Sequence, residues 1–526
     1  MFSLAWWLSF SVGFLSLSQE ILWVRTVSFF LRGMTYSFSI VLFFFLLGIA
    51  AGAAVGKRLC LKSWNLYSVS ALVLGLASCV DFAAIAILPS VTASGSGLIV
   101  VCAFIFLTAS IKSVMFPIAH HLGSSRLDGF LGKSISKVYF GNILGSALGP
   151  ILTGYWLLDV LRLEHCMAFV GIGSFVLAIV SSSRSSVDIR SKLAGAAVVL
   201  VMGLLGTFFG SEMLPKMIEV NLSNGFEGFK LGQVIQNRHG IIHTLYKDGQ
   251  PEVVFGGGEY DGKLSVDLAK NVNGLDRAAV MFAVHPNPKR VLVIGMSAGA
   301  WTMLAASSPK VEEIVVIEIN RGYVELIKTH ENVRPILSDP RVRIVFDDGR
   351  RWLRRNPNEK FDIIIQNTTF HWRTYATNLL SLEYMQLIKE HLSQDGIVGI
   401  NSTGSGDVLK TAEAVFPFVA RRSNFIYGSK SDFTRARAEG KRALEAMAIN
   451  GQLLFPSDSF LKGGLGSELL SQPFMAREIQ YLDFLHPNVG VVTDQNLLVE
   501  QAHGWPGVRK RFPKLVPLID QFRQWQ

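Results

Sequence analysis

The residues that could do chemistry stand where short aliphatic runs stop. Arg290-Val-Leu-Val-Ile294 ends at Gly295, and Met296, Ser297, Ala298 and Gly299 follow before a helix-compatible stretch begins at Trp301. A buried strand, a glycine turn and a helix start let a ligand come close to the backbone, because glycine places no side chain in the way. The next run, residues 312–320, carries Glu318 at its tip, where a carboxylate can accept from ribose hydroxyls. A third run, 341–346, closes on Asp347-Asp348-Gly349, and a fourth, 361–366, on Asn367. Ligands of open α/β sheets bind beyond the carboxyl ends of the strands, so Gly295, Glu318, Asp348 and Asn367 converge if the four runs are parallel neighbours. That is more specific than a single glycine motif. It points to a nucleoside site made by Gly295, Ser297, Gly299, Glu318, Asp348 and Gly349.

What would react there is less ordinary. Asn367 leads into Thr368-Thr369-Phe370-His371-Trp372-Arg373-Thr374-Tyr375. An asparagine takes no proton at neutral pH. His371 titrates near neutrality and could serve as the proton acceptor, Arg373 could grip a carboxylate or phosphate, and Trp372 and Tyr375 could stack on a substrate. Asn367, His371, Arg373 and Tyr375 are therefore the candidate catalytic group. Tyr260, Asp261, Thr368, Thr369 and Trp372 are the candidate substrate contacts. The competing reading is that the aromatics only pack the loop onto its domain. Asp494 is a further acid that could reach the pocket.

The elements that must position these residues follow from periodicity. Residues 231–246 alternate as strands do, Lys247-Asp-Gly249 is a turn, and 252–255 resume the alternation, giving a small antiparallel β unit. His239 and His243 read as ordinary strand residues within it. Residues 273–285, 323–330 and 382–392 read as helices and 396–400 as a fifth strand, so that β and α elements alternate. Alternation of this kind predicts a Rossmann-like α/β domain, a parallel sheet with helices on both faces, behind the small N-terminal β unit.

The first part of the chain is different. The 526 residues are 50% hydrophobic with a mean hydropathy of +0.35, too apolar for an ordinary soluble enzyme and too long for one domain. Long apolar runs fill the chain to about residue 210, and their repetition at bilayer-spanning length predicts a multi-span α-helical membrane domain over 1–211 followed by the nucleoside-binding domain over 212–526. Seven spans are expected, near 4–24, 38–55, 67–88, 98–118, 138–158, 167–180 and 193–209. The first lacks the basic start and cleavage site of a signal peptide. Loops rich in Lys and Arg (Lys57, Arg58, Lys62; Arg126, Lys133, Lys137; Arg184, Arg190, Lys192) alternate with poorer ones (Arg25, Arg32, Arg162). The positive-inside rule then puts the polar half outside, at odds with a nucleoside made in the cytosol, so the side is left open. Glu20, Arg25, Asp81, Lys112 and Asp159 lie in or near spans and are expected to face the bundle interior, as a polar path or as ion pairs. Gly141, Gly145 and Gly149 form a small-residue ladder for close helix packing. All four cysteines are in the apolar half without metal-ligand spacing, and no metal site is expected. The net charge of +10 comes without a basic stripe interleaved with aromatics, which speaks against nucleic acid and for loops beside anionic lipid.

The motifs of the polar half resemble the spermidine synthase family, a branch of the S-adenosylmethionine-dependent methyltransferase fold. The family's Leu-Asp-Gly turn is matched by Tyr260-Asp261-Gly262, its Gly-Gly-Gly-Asp-Gly by Gly295-Met-Ser-Ala-Gly299, its ribose acid by Glu318, its Asp-Pro-Arg-Val by residues 339–342, and its adenine-contacting Asp-Gly by Asp348-Gly349. The first half looks like the membrane domain fused to some bacterial members. The resemblance implies S-adenosylmethionine or its decarboxylated form as co-substrate and aminopropyl or methyl transfer as the reaction. It departs at the fourth strand tip, where the family's Asp-Ser/Thr-Ser/Thr-Asp has become Asn367-Thr-Thr-Phe370, which removes both the proton acceptor and the acids that hold a cationic amine. The expectation is therefore a multi-pass protein of the cell (inner) membrane acting on a small anionic or amphiphilic acceptor. The alternative is an inactive nucleoside-binding sensor or scaffold. A transporter would need an inverted repeat that the spans do not show. Homo-oligomerisation is left open.

Overall fold

The structure is a computed structural model that describes residues 3–91, 97–124, 131–210, 212–221, 226–368, 370–475 and 489–502. The chain forms two compact units, Met1–Ile241 and Ile242–Gln526.

The first unit is helical: α1 (Leu4–Phe30), α2 (Tyr36–Cys60), α3 (Leu66–Val91), α4 (Gly97–Ser113), α5 (Met115–Ser124), α6 (Leu131–Leu152), a π turn leading to α7 (Leu158–Val160), α8 (Leu163–Ser182), α9 (Ile189–Gly210) and α10 (Met213–Asn221). Among the described residues six helices are long and apolar enough to cross a membrane: Tyr36–Cys60, Leu66–Ser90, Gly97–Ser124, Gly132–Val160, Leu163–Ser182 and Ile189–Phe208. The expected seventh, residues 4–24, is not among them. It is the body of α1, a full 27-residue helix capped by Ser3, but Gln19, Glu20 and several serines dilute its apolar face.

Charge inside the bundle is paired. Lys112 Nζ lies 2.8 and 2.7 Å from the two Asp81 carboxylate oxygens and 2.7 Å from Gln19 Oε1, and Gln19 Nε2 donates to Asp81 at 2.6 Å. Asp81 and Lys112 are both almost fully buried, so this network realises the ion-pair reading of those two residues. Arg25 donates to the carbonyls of Asn237 and Arg238, and Asp159 accepts from the Arg238 backbone. The glycine ladder of α6 packs on α1: a Cβ at Gly141, Gly145 or Gly149 would strike the Trp6 ring, the Phe10 carbonyl or the Phe14 carbonyl. A second ladder, Gly48, Gly52 and Gly56, seats α2 in the same way on the Phe106, Ser110 and Val114 carbonyls.

The compact units divide between Ile241 and Ile242, whereas the composition changes near residue 211. Leu214 and Ile218 of α10 and Ile241 form one apolar cluster with Phe29, with Leu231 and Val234 of β1 (Lys230–Asn237) against it. These residues therefore belong to the helical unit although their composition is that of a globular domain.

From Ile242 the second unit runs through the rest of β2 (Gly240–Tyr246) and the strands β3 (Val253–Gly256) and β4 (Glu259–Lys263), which pair antiparallel in that order. Behind them lies a seven-stranded sheet in the order β10-β11-β9-β8-β5-β6-β7. Strands β5 (Arg290–Ile294), β6 (Glu313–Glu318), β7 (Val342–Phe346), β8 (Phe361–Gln366) and β9 (Leu392–Asn401) are parallel. Helices α11 (Asp276–Val284), α12 (Ala300–Ala306), α13 (Gly322–Lys328), α14 (Gly349–Arg355), α15 (Leu382–His391) and α16 (Gly406–Val415) alternate with them, as the periodicity predicts. The sheet is not wholly parallel, however. A hairpin of β10 (Phe418–Arg422) and β11 (Phe425–Ser429) adds two antiparallel strands beside β9. The chain runs from β5 outward through β6 and β7, then returns to place β8 on the other side of β5. The crevice between β5 and β8 is thus the switch point at which open α/β sheets bind ligands.

Candidate functional site

Gly295 follows β5 and Asn367 follows β8, and the two meet across the switch point. A Cβ on Gly295 would stand 2.9 Å from the Asn367 carbonyl oxygen, and its φ of 86° lies in the left-handed region, so both space and backbone require glycine. Ser297 (φ 46°) and Gly299 (φ 80°) continue the turn in the same region. Gly299 also lies against Ile327 and Ile336, where a side chain would not fit.

Glu318, at the tip of β6, is 4% exposed and clamps this turn: its two oxygens accept from the Met296 and Asn320 backbone N–H groups, each at 2.7 Å. Burial pushes its carboxyl up to about 7 against these hydrogen bonds, with the Asp261 charge adding to the rise. Asp261 accepts from the Tyr323 hydroxyl at its side chain and from Ser297 Oγ at its backbone carbonyl. Burial raises it to about 6, opposed by the Tyr323 hydrogen bond and then by the Arg373 charge. Arg373 reaches the Gly257 carbonyl at 3.5 Å. Asp348 caps α14 through the Arg351 N–H at 2.8 Å, and a Cβ at Gly349 would press on Ile294.

Of the predicted substrate contacts, Tyr260, Asp261 and Thr368 line one cavity of about 230 Å³, together with Asn367. Thr369 lies outside the described residues. In the loop beyond it Phe370 still lines the cavity and Arg373 stands beside Asp261. His371 is buried with its Nδ1 2.7 Å from Thr403 Oγ1, Trp372 leans on Phe370 with ring centroids 5.5 Å apart, and Tyr375 is 76% exposed. Asp494 is not at the cavity. It forms a two-pronged ion pair with Arg350, at 2.7 and 2.6 Å, and accepts from Ser381.

The cavity also contains residues that strand-tip reasoning passed over. Asn401 ends β9 and obeys the same rule as Asn367, so its position was available from the fifth strand. Asn424 sits in the β10–β11 turn, and Arg277 on α11 comes in beneath it. Arg277 lies beside the stacked Trp301 and Phe425 rings, 5.1 and 5.0 Å from their centroids.

The donor set suits a nucleoside without phosphates. The turn after β5 offers backbone N–H groups, but Glu318 already occupies the place beside the Met296 N–H where a phosphate would sit, and like charge would repel it.

Residues 278–415, from α11 to the end of α16, match the sequence profile of the spermine/spermidine synthase domain. This stretch is a spermine/spermidine synthase domain. The chain is 28% identical over 152 residues to polyamine aminopropyltransferase 2 of Caldanaerobacter subterraneus subsp. tengcongensis, covering 27% of this chain and 51% of that protein. It is 31% identical over 185 residues to the polyamine aminopropyltransferase of Thermococcus onnurineus, covering 32% and 64%. The chain thus spans less than two thirds of the length of these relatives. Among solved structures, spermidine synthase from Thermotoga maritima aligns with 48% of this chain and 87% of its own at 18% identity and a TM-score of 0.37. The synthase domain begins at α11, so the strands β2 to β4 that carry Tyr260 and Asp261 lie ahead of it.

Proposed function

We propose that the protein is a membrane-anchored transferase whose synthase domain takes S-adenosylmethionine or its decarboxylated form and passes an alkyl group to a small acceptor. The observation that carries this reading is the β5–β8 switch point inside a synthase-family domain, where the Gly295 turn, clamped from behind by the buried Glu318 carboxylate, packs on Asn367 at the wall of a cavity. Gly295, Ser297 and Gly299 would seat the nucleoside, Glu318 its ribose, and Asp348-Gly349 its base. The co-substrate supplies an activated sulfonium carbon. The protein's own work is then to orient the acceptor and exclude water. The helical unit supports the anchor: Phe43, Leu72, Ile99 and Phe208 are 62%, 74%, 72% and 76% exposed on its outer faces, apolar surface that suits lipid.

Calorimetric titration of the purified full chain with S-adenosylhomocysteine and 5′-methylthioadenosine tests the reading. Binding that is lost in Glu318→Gln supports it, and absence of binding by the native protein refutes it. A second reading, a nucleoside sensor without catalysis, is favoured by Asn367, which accepts no proton. Transfer of label from the co-substrate to any acceptor in membranes or lysate, abolished by Glu318→Gln, would exclude the sensor.

A further inference from the structure

The amides of the cavity form a relay whose direction is fixed. Arginine has only donors, so Arg277 Nη1, 2.6 Å from Asn424, must meet its Oδ1. Asn424 Nδ2 then donates to Asn401 Oδ1 at 2.7 Å, an oxygen that also accepts from the Thr403 backbone N–H at 3.0 Å. Asn401 Nδ2 in turn donates to Asn367 Oδ1 at 2.9 Å. Two independent anchors, a guanidinium and a backbone N–H, thus set the same orientation. The chain ends with Asn367 presenting its Nδ2 donors, at the strand tip where a general base would need an acceptor. Asn273, which also lines the cavity, spends both ends of its amide on the Lys263 backbone. The charged groups of the lining are Arg277 and Asp261, and the Asp261 carboxylate is held by the Tyr323 hydroxyl with Arg373 beside it.

We infer that the acceptor enters this cavity already ionised, as a carboxylate, and is oriented by Asn367 Nδ2 and the Arg277 charge rather than deprotonated by the protein. The inference rests on the transferase reading and gives it an acceptor class. A carboxylate oxygen lone pair forms the new bond to the alkyl carbon, and the carbon–sulfur bond breaks with its electron pair returning to sulfur. Anion and sulfonium leave as neutral ester and thioether, and no proton is released, so the missing base costs the reaction nothing. An amine acceptor would need the opposite polarity, an acceptor for its proton and acids for its charge, and the relay offers donors.

The test compares two probes, benzoate and 1,4-diaminobutane, titrated into the full-length protein in detergent with and without S-adenosylhomocysteine. Binding of the nucleoside alone bears on the transferase reading; the preference between the probes bears on this one. A charge-assisted hydrogen bond is strong enough for about a tenfold difference in affinity, so benzoate should bind at least about tenfold more tightly than the diamine. Asn367→Asp, nearly isosteric, should reverse the order. Asn367→Ser, which removes the amide without adding charge, should weaken benzoate and leave the diamine unchanged; melting curves of both variants check that they are folded. Absence of a preference for benzoate in the native protein, or a preference unmoved in Asn367→Asp, overturns the inference.

Discussion

Glu318 offers the most direct test of the nucleoside site, because its titration should be visible both in binding and in stability. Its carboxyl is lifted from an ordinary 4.5 to about 7, chiefly by burial. A ribose hydroxyl donates to the ionised form, so affinity for S-adenosylhomocysteine should rise with pH and level off above about 7. If only the ionised form binds, the competent fraction goes from roughly one tenth at pH 6 to roughly nine tenths at pH 8, and the dissociation constant should fall about tenfold across that interval. Stability runs the other way. The folded protein holds a proton that the unfolded chain releases above 4.5, so folding takes up a proton between 4.5 and 7. The contribution is present below 4.5 and is lost as pH climbs to about 7, a swing on the order of 3 kcal/mol for a shift of this size. Calorimetric titrations at half-unit steps, with melting curves on the same samples, read both trends. Asp261, lifted to about 6 and facing the same turn, adds its own step, so Asp261→Asn should remove the lower part of the profile and leave the part near 7. Glu318→Gln should flatten what remains. An affinity of the native protein that stays constant from pH 6 to 8, or a stability slope near pH 7 that survives in Glu318→Gln, would refute the assignment.

Three further outcomes follow from particular contacts. Gly295→Ala should cost roughly 1–3 kcal/mol from its backbone conformation alone, and more from the Asn367 carbonyl 2.9 Å away; a melting temperature equal to the native one would show that the turn relaxes freely. Asp81→Asn leaves the buried Lys112 ammonium without its counter-charge and should destabilise the helical unit by about 3–5 kcal/mol. The double change Asp81→Asn, Lys112→Met should recover much of that in detergent melting, and a double variant no more stable than the single one would contradict the pairing. Finally, the transferase reading needs the synthase domain on the face where the nucleoside is made. A C-terminal green fluorescent protein should glow and a C-terminal alkaline phosphatase stay silent, and the reverse, which the basic loop at Lys57, Arg58 and Lys62 favours, would sink cytosolic use of the co-substrate.

The parts of this site legible in the sequence are those that one strand's own residues determine. Gly295, Glu318, Asp348 and Asn367 are visible because an aliphatic run must end somewhere and a parallel sheet gathers its ends. The relay is not legible in that way. Asn401 and Asn424 are 23 residues apart, and only the β9–β11 register, with Asn401 opposite Phe425, brings them side by side. That hairpin turns through Ser423 and Asn424, with Ser423 at a φ of 53°, a weaker signal than the Asn-Gly or Asp-Gly turns that announce hairpins. The setting of His371 is hidden for a similar reason: its residue type is plain in the sequence, but its ring meets Thr403, thirty-two residues later. In the helical unit, Trp, Phe and Leu make α1 look like a span, while its interior Gln19 is needed for the Asp81–Lys112 pair.

The cavity's charge pattern bears on how it could manage without a base. Burial raises Glu318 and Asp261, so near neutrality the acid side of the turn sits close to its titration point, where an approaching cation would draw off its protons. The Asn367 amide does not titrate and the Arg277 guanidinium stays protonated, so both offer donors at any ordinary pH. A sulfonium drawn toward Asp261 and an anion drawn toward Asn367 and Arg277 would meet with opposite charges in a space of about 230 Å³. Their attraction grows as water leaves that space, and it is cancelled by the reaction itself, since both products are neutral. On this view the replacement of an acidic strand tip by Asn367 changes which nucleophile the fold can present, and it does so without altering the nucleoside turn beside it.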